Sequence, residues 1–427
     1  MGFSRQDVEG LSASLSEPGW VTDRRLQSWD WFEKLELPAE KEEQWRYTNL
    51  ARLKFKLDPF AASAPGADRQ APAPNVETGR SAIFVQEGSS WAPASVTPEV
   101  ASSGVIVSDI HTAIAEHPDL VRPNLFAQVD SSSHIFAALH GALFCGGTFV
   151  YVPRGVKVAL PIEARYRIGK SGTIIAPHTL IVAEEGAEVA YIQRYGSAEL
   201  DERALSDAAL EVVAGQNCRV HVVTMQEYER NAWHFEMQGT SAQRDTNLRS
   251  LVVTLGGTFS RTETTSTLLG EGITMGMTGL YLAGEGQHFD FRTLQDHHAA
   301  HCMSDLLYKG ALRNNAHTVY SGLIHVRPEG AETDAYQTNR NLVLSDHAKA
   351  DSKPELEIEN NDVRCSHAAS VGQIDENEIF YLQSRGIDRE LAKQLIVKGF
   401  LEEVLSRVVR EDVRDLVKSA LEARLQQ

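Results

Sequence analysis

The 427-residue chain is long enough to bury a large core and to divide into two or three domains. Its 42% hydrophobic and 23% charged residues exclude wholesale disorder, and a formal charge of -17 argues against binding nucleic acid or an anionic membrane surface. The most apolar stretch, Ala137 to Val152, is broken by His140, several glycines and Thr148, and is too short to span a bilayer. The start, MGFSRQDVEG, lacks the basic and apolar parts of an export signal. Cys145, Cys218, Cys302 and Cys365 are too scattered for a disulfide framework, so reduced thiols in a cytoplasm are expected.

Residues 1–60 are rich in charge and tryptophan and read as an N-terminal helical domain. Within them Leu26, Trp29, Phe32, Glu33 and Leu37 recur at helical intervals, predicting a helix over 24–37 that Pro38 stops. Residues 61–79 are an Ala/Pro/Gly segment without periodicity, hence a linker. Residues 80–358 read as strand after strand. From Val156 to Ile168, apolar and polar side chains alternate with period two, the mark of one buried and one exposed face. Turn signals at Gly155, Gly186 and Gly215 recur at 31 and 29 residues, and Gly272 and Gly286 lie fourteen apart, as a half circuit would. Such repeats predict a stacked β-solenoid; a β-sandwich has similar strand spacing and remains the alternative.

Residues 359–427 change to helical period. Asp375 can cap a helix ending at Gly386, and Asp388 a second one ending at Gly399. The apolar stripe from Leu401 to Leu425 is wide for a surface helix. Packing on the end of the solenoid and docking a partner subunit both explain it.

Gly169-Lys170-Ser171 lacks the upstream glycine of a phosphate loop, since Ala164 stands there, and more strand follows it. Any ATP hydrolysis would belong to a partner. His297, His301 and Cys302 form a metal-like run, but on a strand the two histidines would stand about 13 Å apart, so histidines in a turn or facing solvent are the plainer reading. With no Cys-x-x-Cys, the chain cannot alone supply a ferredoxin-like set of four thiolates. Cys145 and Cys218 fall among apolar residues and read as core. Cys365 and His367, two residues apart, would point the same way on an extended backbone about 7 Å apart, and both ligate iron or zinc well. A plain junction loop is the other reading of that segment.

The stretch from Ser352 to Gly386, SKPELEIENNDVRCSHAASVGQIDENEIFYLQSRG, resembles the C-terminal signature of the SufB/SufD family of the SUF iron–sulfur assembly machinery. The segments Leu307–Gly310, Asp334–Gln337 and Asn341–Ser345 resemble the core of that family, and Trp45–Leu50 (WRYTNL) is similar to the N-terminal signature of its SufD branch. The resemblance touches all three regions and its motifs are long. Cys365-Ser366-His367 stands where SufB-like chains typically carry Glu-His-Glu, and Asn339 where they carry a scaffold cysteine, which favours the SufD branch. One departure is Ala368-Ala369-Ser370, where that branch often has Gly-Ala-Thr.

The resemblance implies a right-handed parallel β-helix between N- and C-terminal helical domains. It implies a non-catalytic subunit that forms a heterodimer with SufB through the β-helix and binds the SufC ATPase through its C-terminal helices, for which Phe380, Leu382, Arg385 and Leu395 are the candidate contacts. His367 is the expected cluster ligand at the SufB interface and Cys365 a weaker candidate. No tightly bound cofactor is expected on the isolated chain, only a transient iron–sulfur cluster in the complex. Self-pairing of the isolated chain through the open solenoid edge is a further expectation. The competing functions are a β-helix carbohydrate-active enzyme and a SufB-like primary scaffold.

Overall fold

The computed structural model describes residues 3–39, 41–57, 60–62, 71 and 73–426. Its centre is a parallel β-solenoid of about eight coils built from two facing sheets. One sheet stacks Thr148–Val152, His178–Ala183, Ala204–Ala214, Ala232–Ala242, Phe259–Leu268, His288–His297, His317–Val326 and Lys349–Ile358. The other stacks Ile162–Ile168, Glu188–Ser197, Arg219–Gln226, Asn247–Thr254, Thr274–Ala283, Met303–Leu312, Thr333–Val343 and Val363–Gln373. Each strand pairs in parallel with the strand one coil away. A sandwich would pair its strands antiparallel, so the solenoid reading holds.

Alternate residues of both sheets meet inside the coil, where Tyr166, Tyr191, Val220, Leu248, Met275 and Leu306 are buried. One corner repeats in the left-handed conformation at Gly155, Gly186, Asn217, Asp245, Gly272, His301 and Glu332. The N–H of each donates to a carbonyl one coil on, as from Gly186 to Gln216 (2.8 Å) and Asn217 to Arg244 (2.9 Å). The third corner residue is therefore Asn217, not the expected Gly215; Asn tolerates this conformation better than most residues. Gly215 answers to space instead, because a Cβ there would lie 2.9 Å from the Glu185 nitrogen. Gly272 and Gly286 flank the strand Thr274–Ala283 at opposite corners, the half circuit their spacing predicts.

The period-two run from Val156 to Ile168 is strand only from Ile162 onward. Before it, Lys157 makes a single bridge to Glu188, and Pro161 has no N–H to give a ladder. Nor is the region after residue 80 strand throughout. It opens with an antiparallel hairpin, Ala82–Glu87 with Ser90–Val96, followed by helices Pro98–Ser102, Ile110–Glu116, Pro118–Val121 and Ile135–Leu143. The apolar run from Ala137 to Val152 divides into the last of these helices and a strand, split at Gly146 and Gly147, both at positive φ. At the other end the solenoid continues to Gln373, past the expected boundary at 358. Of the expected linker, residues 63–70 and 72 lie outside the described residues. Ala61–Ala62 pairs with Thr173 and Ile174, and Glu77 holds Arg165. No helix among the described residues is long and apolar enough to cross a membrane.

Each sheet has a helical cover on its outer face. Helices Arg5–Ser14 and Gly19–Phe32, with Trp45, Leu50 and Phe55, pack on Phe136 and on Trp233, Phe235 and Phe259 of the first sheet. The second helix starts at Gly19 and stops at Phe32, five residues before the expected end. Val21, Arg25, Trp29 and Phe32 are its buried side, whereas Leu37 is exposed. The WRYTNL motif is an anchor: Thr48 donates to Asp290 at 2.6 Å, and the Arg261 guanidinium lies 3.7 Å over the Trp45 ring.

Beneath this cover Arg25 is fully buried, forked on Glu17 by two 2.6 Å hydrogen bonds and donating to the carbonyls of Ala142 and Phe144. Burial would raise the Glu17 carboxyl, but hydrogen bonds from Arg25 and His111 outweigh it and hold the group down at about 2. A carboxyl depressed on folding stabilises fully above its unfolded value, and that contribution is lost as pH falls through the folded one. Glu17→Gln should therefore cost on the order of 3 kcal/mol at pH 7. In urea unfolding, its deficit against the parent protein should shrink markedly at pH 3; an equal deficit at both pH values would refute the ion pair.

The C-terminal helices do not cap the solenoid's end. Arg389–Ser406 and Glu411–Leu425 lie on the flank of the second sheet, with Val397, Leu401, Val404, Val413, Val417 and Leu421 packed on Ile192, Val223, Leu251, Leu280 and Leu307. Asp375 and Asp388 cap their helices as expected, and Gly386 ends the first at φ 86. Gly399 does not end the second, which runs on to Ser406. The penalty of about 1 kcal/mol for a helical glycine is small beside the burial of Leu401, Val404 and Leu405.

Candidate functional site at the open end of the solenoid

Because both helical covers lie on the flanks, no further strand pairs with the outer edge of the last coil among the described residues. Lys349–Ile358 and Val363–Gln373 are the terminal strands of their sheets, and an edge strand presents a row of unpaired N–H and C=O groups. Cys365-Ser366-His367 is thus no junction loop. It lies within the last strand, with Cys365 opposite Ala335 and His367 opposite Gln337.

Register fixes where these side chains belong. Ala335 and Gln337 are buried, and Gln337 continues the column of Leu306 inside the core. Cys365 and His367 therefore sit on the interior-facing side of the second sheet, two residues or about 7 Å apart, as their spacing predicts. His367 is exposed and Cys365 half-buried, because no further coil seals the mouth. Across it, Ser352, Pro354 and Leu356 continue the columns of Tyr320, Gly322 and Ile324. Burial raises the Cys365 thiol above its ordinary value, with Asp334 adding to the rise, so the free chain presents a thiol and not a thiolate. Of the two, the imidazole is the readier ligand.

One coil further in, Asn339 is fully buried. It donates to the Tyr281 hydroxyl at 3.0 Å and the Tyr308 carbonyl at 3.2 Å, and accepts from Asn341 and Ser352. The position carries a closed amide network and no thiol.

The structure does not bring His297, His301 and Cys302 together. His297 ends a strand with its ring inside the solenoid, Nε2 2.8 Å from the Ser304 hydroxyl. His301 occupies a corner at φ 57, exposed, 3.3 Å from a Glu332 oxygen. Cys302 is buried against the Gly270 carbonyl, much as Cys218 lies against that of Glu184. Both cysteines follow a left-handed corner residue and are core. Gly169-Lys170-Ser171 is a turn between two strands, which excludes the phosphate-loop reading.

The partner candidates fall on the outboard helix Glu376–Ser384 and its neighbour. Ile379 is buried, while Phe380 is 72% exposed, Leu395 41% and Leu382 half-buried. Arg385 lies over the Tyr381 ring and donates to its hydroxyl at 3.3 Å. Tyr381 and Leu391 on the same two helices are exposed as well, at 57% and 45%.

Coil and mouth together define a parallel β-solenoid that carries an imidazole and a thiol at an unsealed end. The chain belongs to the SufB/SufD family: residues 166–400 match the SufBD core domain of the SUF system for FeS cluster assembly, and residues 15–164 the SufBD protein N-terminal region. It is 30% identical to the iron-sulfur cluster assembly protein SufD of Bacillus subtilis, over 100% of this chain and 98% of that one. It is 31% identical to an iron-sulfur cluster assembly SufBD family protein of Mycobacterium leprae, over 98% and 97% of the two chains. A Staphylococcus aureus member of the same family is 26% identical over 99% and 93%.

Proposed function

We propose that this chain is a non-catalytic, SufD-type subunit of a SufB–SufC–SufD complex, helping to form and release a nascent iron–sulfur cluster at its seam with SufB. The observation that carries this reading is His367 on the interior-facing side of a terminal strand whose outer edge is unpaired among the described residues. A second solenoid subunit placed edge to edge there would complete the ladder and bring its own ligands to the imidazole. A cluster held by one imidazole and by groups of another subunit is under-coordinated, hence easier to release than one held by four thiolates. Asn339, locked in its amide network, weighs against a SufB-like primary scaffold.

The SufC ATPase would dock on the Phe380–Leu395 patch, and its ATP-driven dimerisation would shift the mouth by pulling on the helices. In the absence of SufB the same edge would support self-pairing of the chain. Co-expression with SufB and SufC homologues, co-purification, and iron and acid-labile sulfide analysis test the proposal. The expected result is one complex that carries a cluster, where the chain alone carries none. Failure to co-purify, or a stable cluster on the isolated chain, would reject it.

A further inference from the structure

Around the corner from the mouth, on the outward face of the first sheet, the last coils stack ionisable side chains in two adjacent columns. Asp296, His325 and Glu357 occupy one, each opposite the next in the ladder. His298, Arg327 and Glu359 occupy the other, two residues further along the same face. The backbone N–H groups of these three donate to Leu268, His297 and Val326. Asp296 is already engaged, by Arg327 Nε at 2.9 Å and by His298 Nε2 at 2.9 Å. Glu357 lies on the terminal strand and Glu359 just past its end.

The ligand atoms of His325, Glu357 and Glu359 lie within 4.8 Å of one another. His325 is buried, its Nε2 2.8 Å from Glu359 Oε1 and its Nδ1 3.7 Å from Asp296 Oδ1. Glu357 has no hydrogen-bond or ion-pair partner among the described residues, although its carboxylate crowds a second one. The Arg327 guanidinium, which interacts electrostatically with both carboxylates, offsets part of their repulsion, and a divalent ion would offset the rest. First-row ions take imidazole nitrogen and carboxylate oxygen at about 2.0–2.2 Å, which sets neighbouring donors about 3 Å apart. Rotation of two exposed glutamates toward a fixed histidine supplies that contraction.

We propose that His325, Glu357 and Glu359 form a binding site for a divalent first-row transition-metal ion. One nitrogen and two carboxylate donors suit ions of the Fe(II) and Mn(II) class. The site stands on these residues alone and is separate from the mouth at His367. Mn(II) is the probe: titrated into the purified full-length chain, it should lose its free-ion paramagnetic resonance signal as one equivalent binds. E357Q/E359Q and, separately, H325Q should weaken binding by about tenfold or more, while H367A leaves it unchanged. All three glutamate and histidine positions are read against thermal unfolding, so that loss of fold is not mistaken for loss of the ion. Absence of binding to the parent chain, undiminished affinity in folded E357Q/E359Q, or loss of the ion in H367A would each overturn the proposal.

Discussion

Replacing His367 with alanine should leave the three-subunit complex assembled and cut its iron and acid-labile sulfide by about tenfold or more. Removing even the partner of a metal ligand typically weakens a site by about 10–100-fold, and losing a direct ligand costs at least as much. The fold should not notice. His367 is exposed on a terminal strand, and its backbone pairing to Gln337 needs no imidazole. Purified complexes of parent and H367A, compared by subunit stoichiometry and by cluster content, give the answer. Equal cluster content in an intact complex would remove His367 from the proposed site. C365A should have the smaller effect, because burial keeps that sulfur protonated in the free chain.

The double substitution Phe380→Asp with Leu395→Asp should weaken ATPase binding by about a hundredfold or more while the pairing of the two solenoid subunits survives. Interface anchors of this kind contribute about 2 kcal/mol or more each, and about 1.4 kcal/mol is a factor of ten in affinity. Both side chains are already exposed at 72% and 41%, so the melting temperature of the isolated chain should hold. Titration calorimetry with the ATPase measures the loss. An unchanged affinity would move the docking surface elsewhere; a fallen melting temperature would mean that these residues pack within the chain.

How much of this was legible in the sequence follows from the range of the interactions. Period-two alternation and recurring glycines disclose a coil, because the corner chemistry repeats locally. Asp375, Gly386 and Asp388 mark helix ends through bonds to residues within four positions. The pair Cys365 and His367 was visible because an extended backbone sets their common side. Other features depend on partners far along the chain. Nothing near Leu401 says whether its helix covers the end of the solenoid or its flank; Leu251 and Leu280 decide that. Gly399 looks like a stop until the buried face that runs through it is known. His297 and His301 look like a pair until a corner falls between them. The reverse holds for His325 and Glu357, 32 residues apart in the sequence and adjacent in the ladder; aligning the chain on its coil period would have revealed them.

The flank position of the C-terminal helices has a mechanical consequence. Helix Arg389–Ser406 grips the strand Met303–Leu312: Lys309 donates to the Phe400 carbonyl at 2.8 Å and pairs with Glu403 at 2.6 Å, and Arg407 holds Asp305 at 2.9 Å. That strand is two rungs from the one that bears His367, a span of about 10 Å crossed by unbroken parallel hydrogen bonds. A sheet of this kind is stiff along its ladder, so a torque applied to the helix would reach the terminal rung as rotation with little lost to bending. Under such a torque the helix would act as a crank arm clamped near the end of a rod, where a small stroke moves the tip.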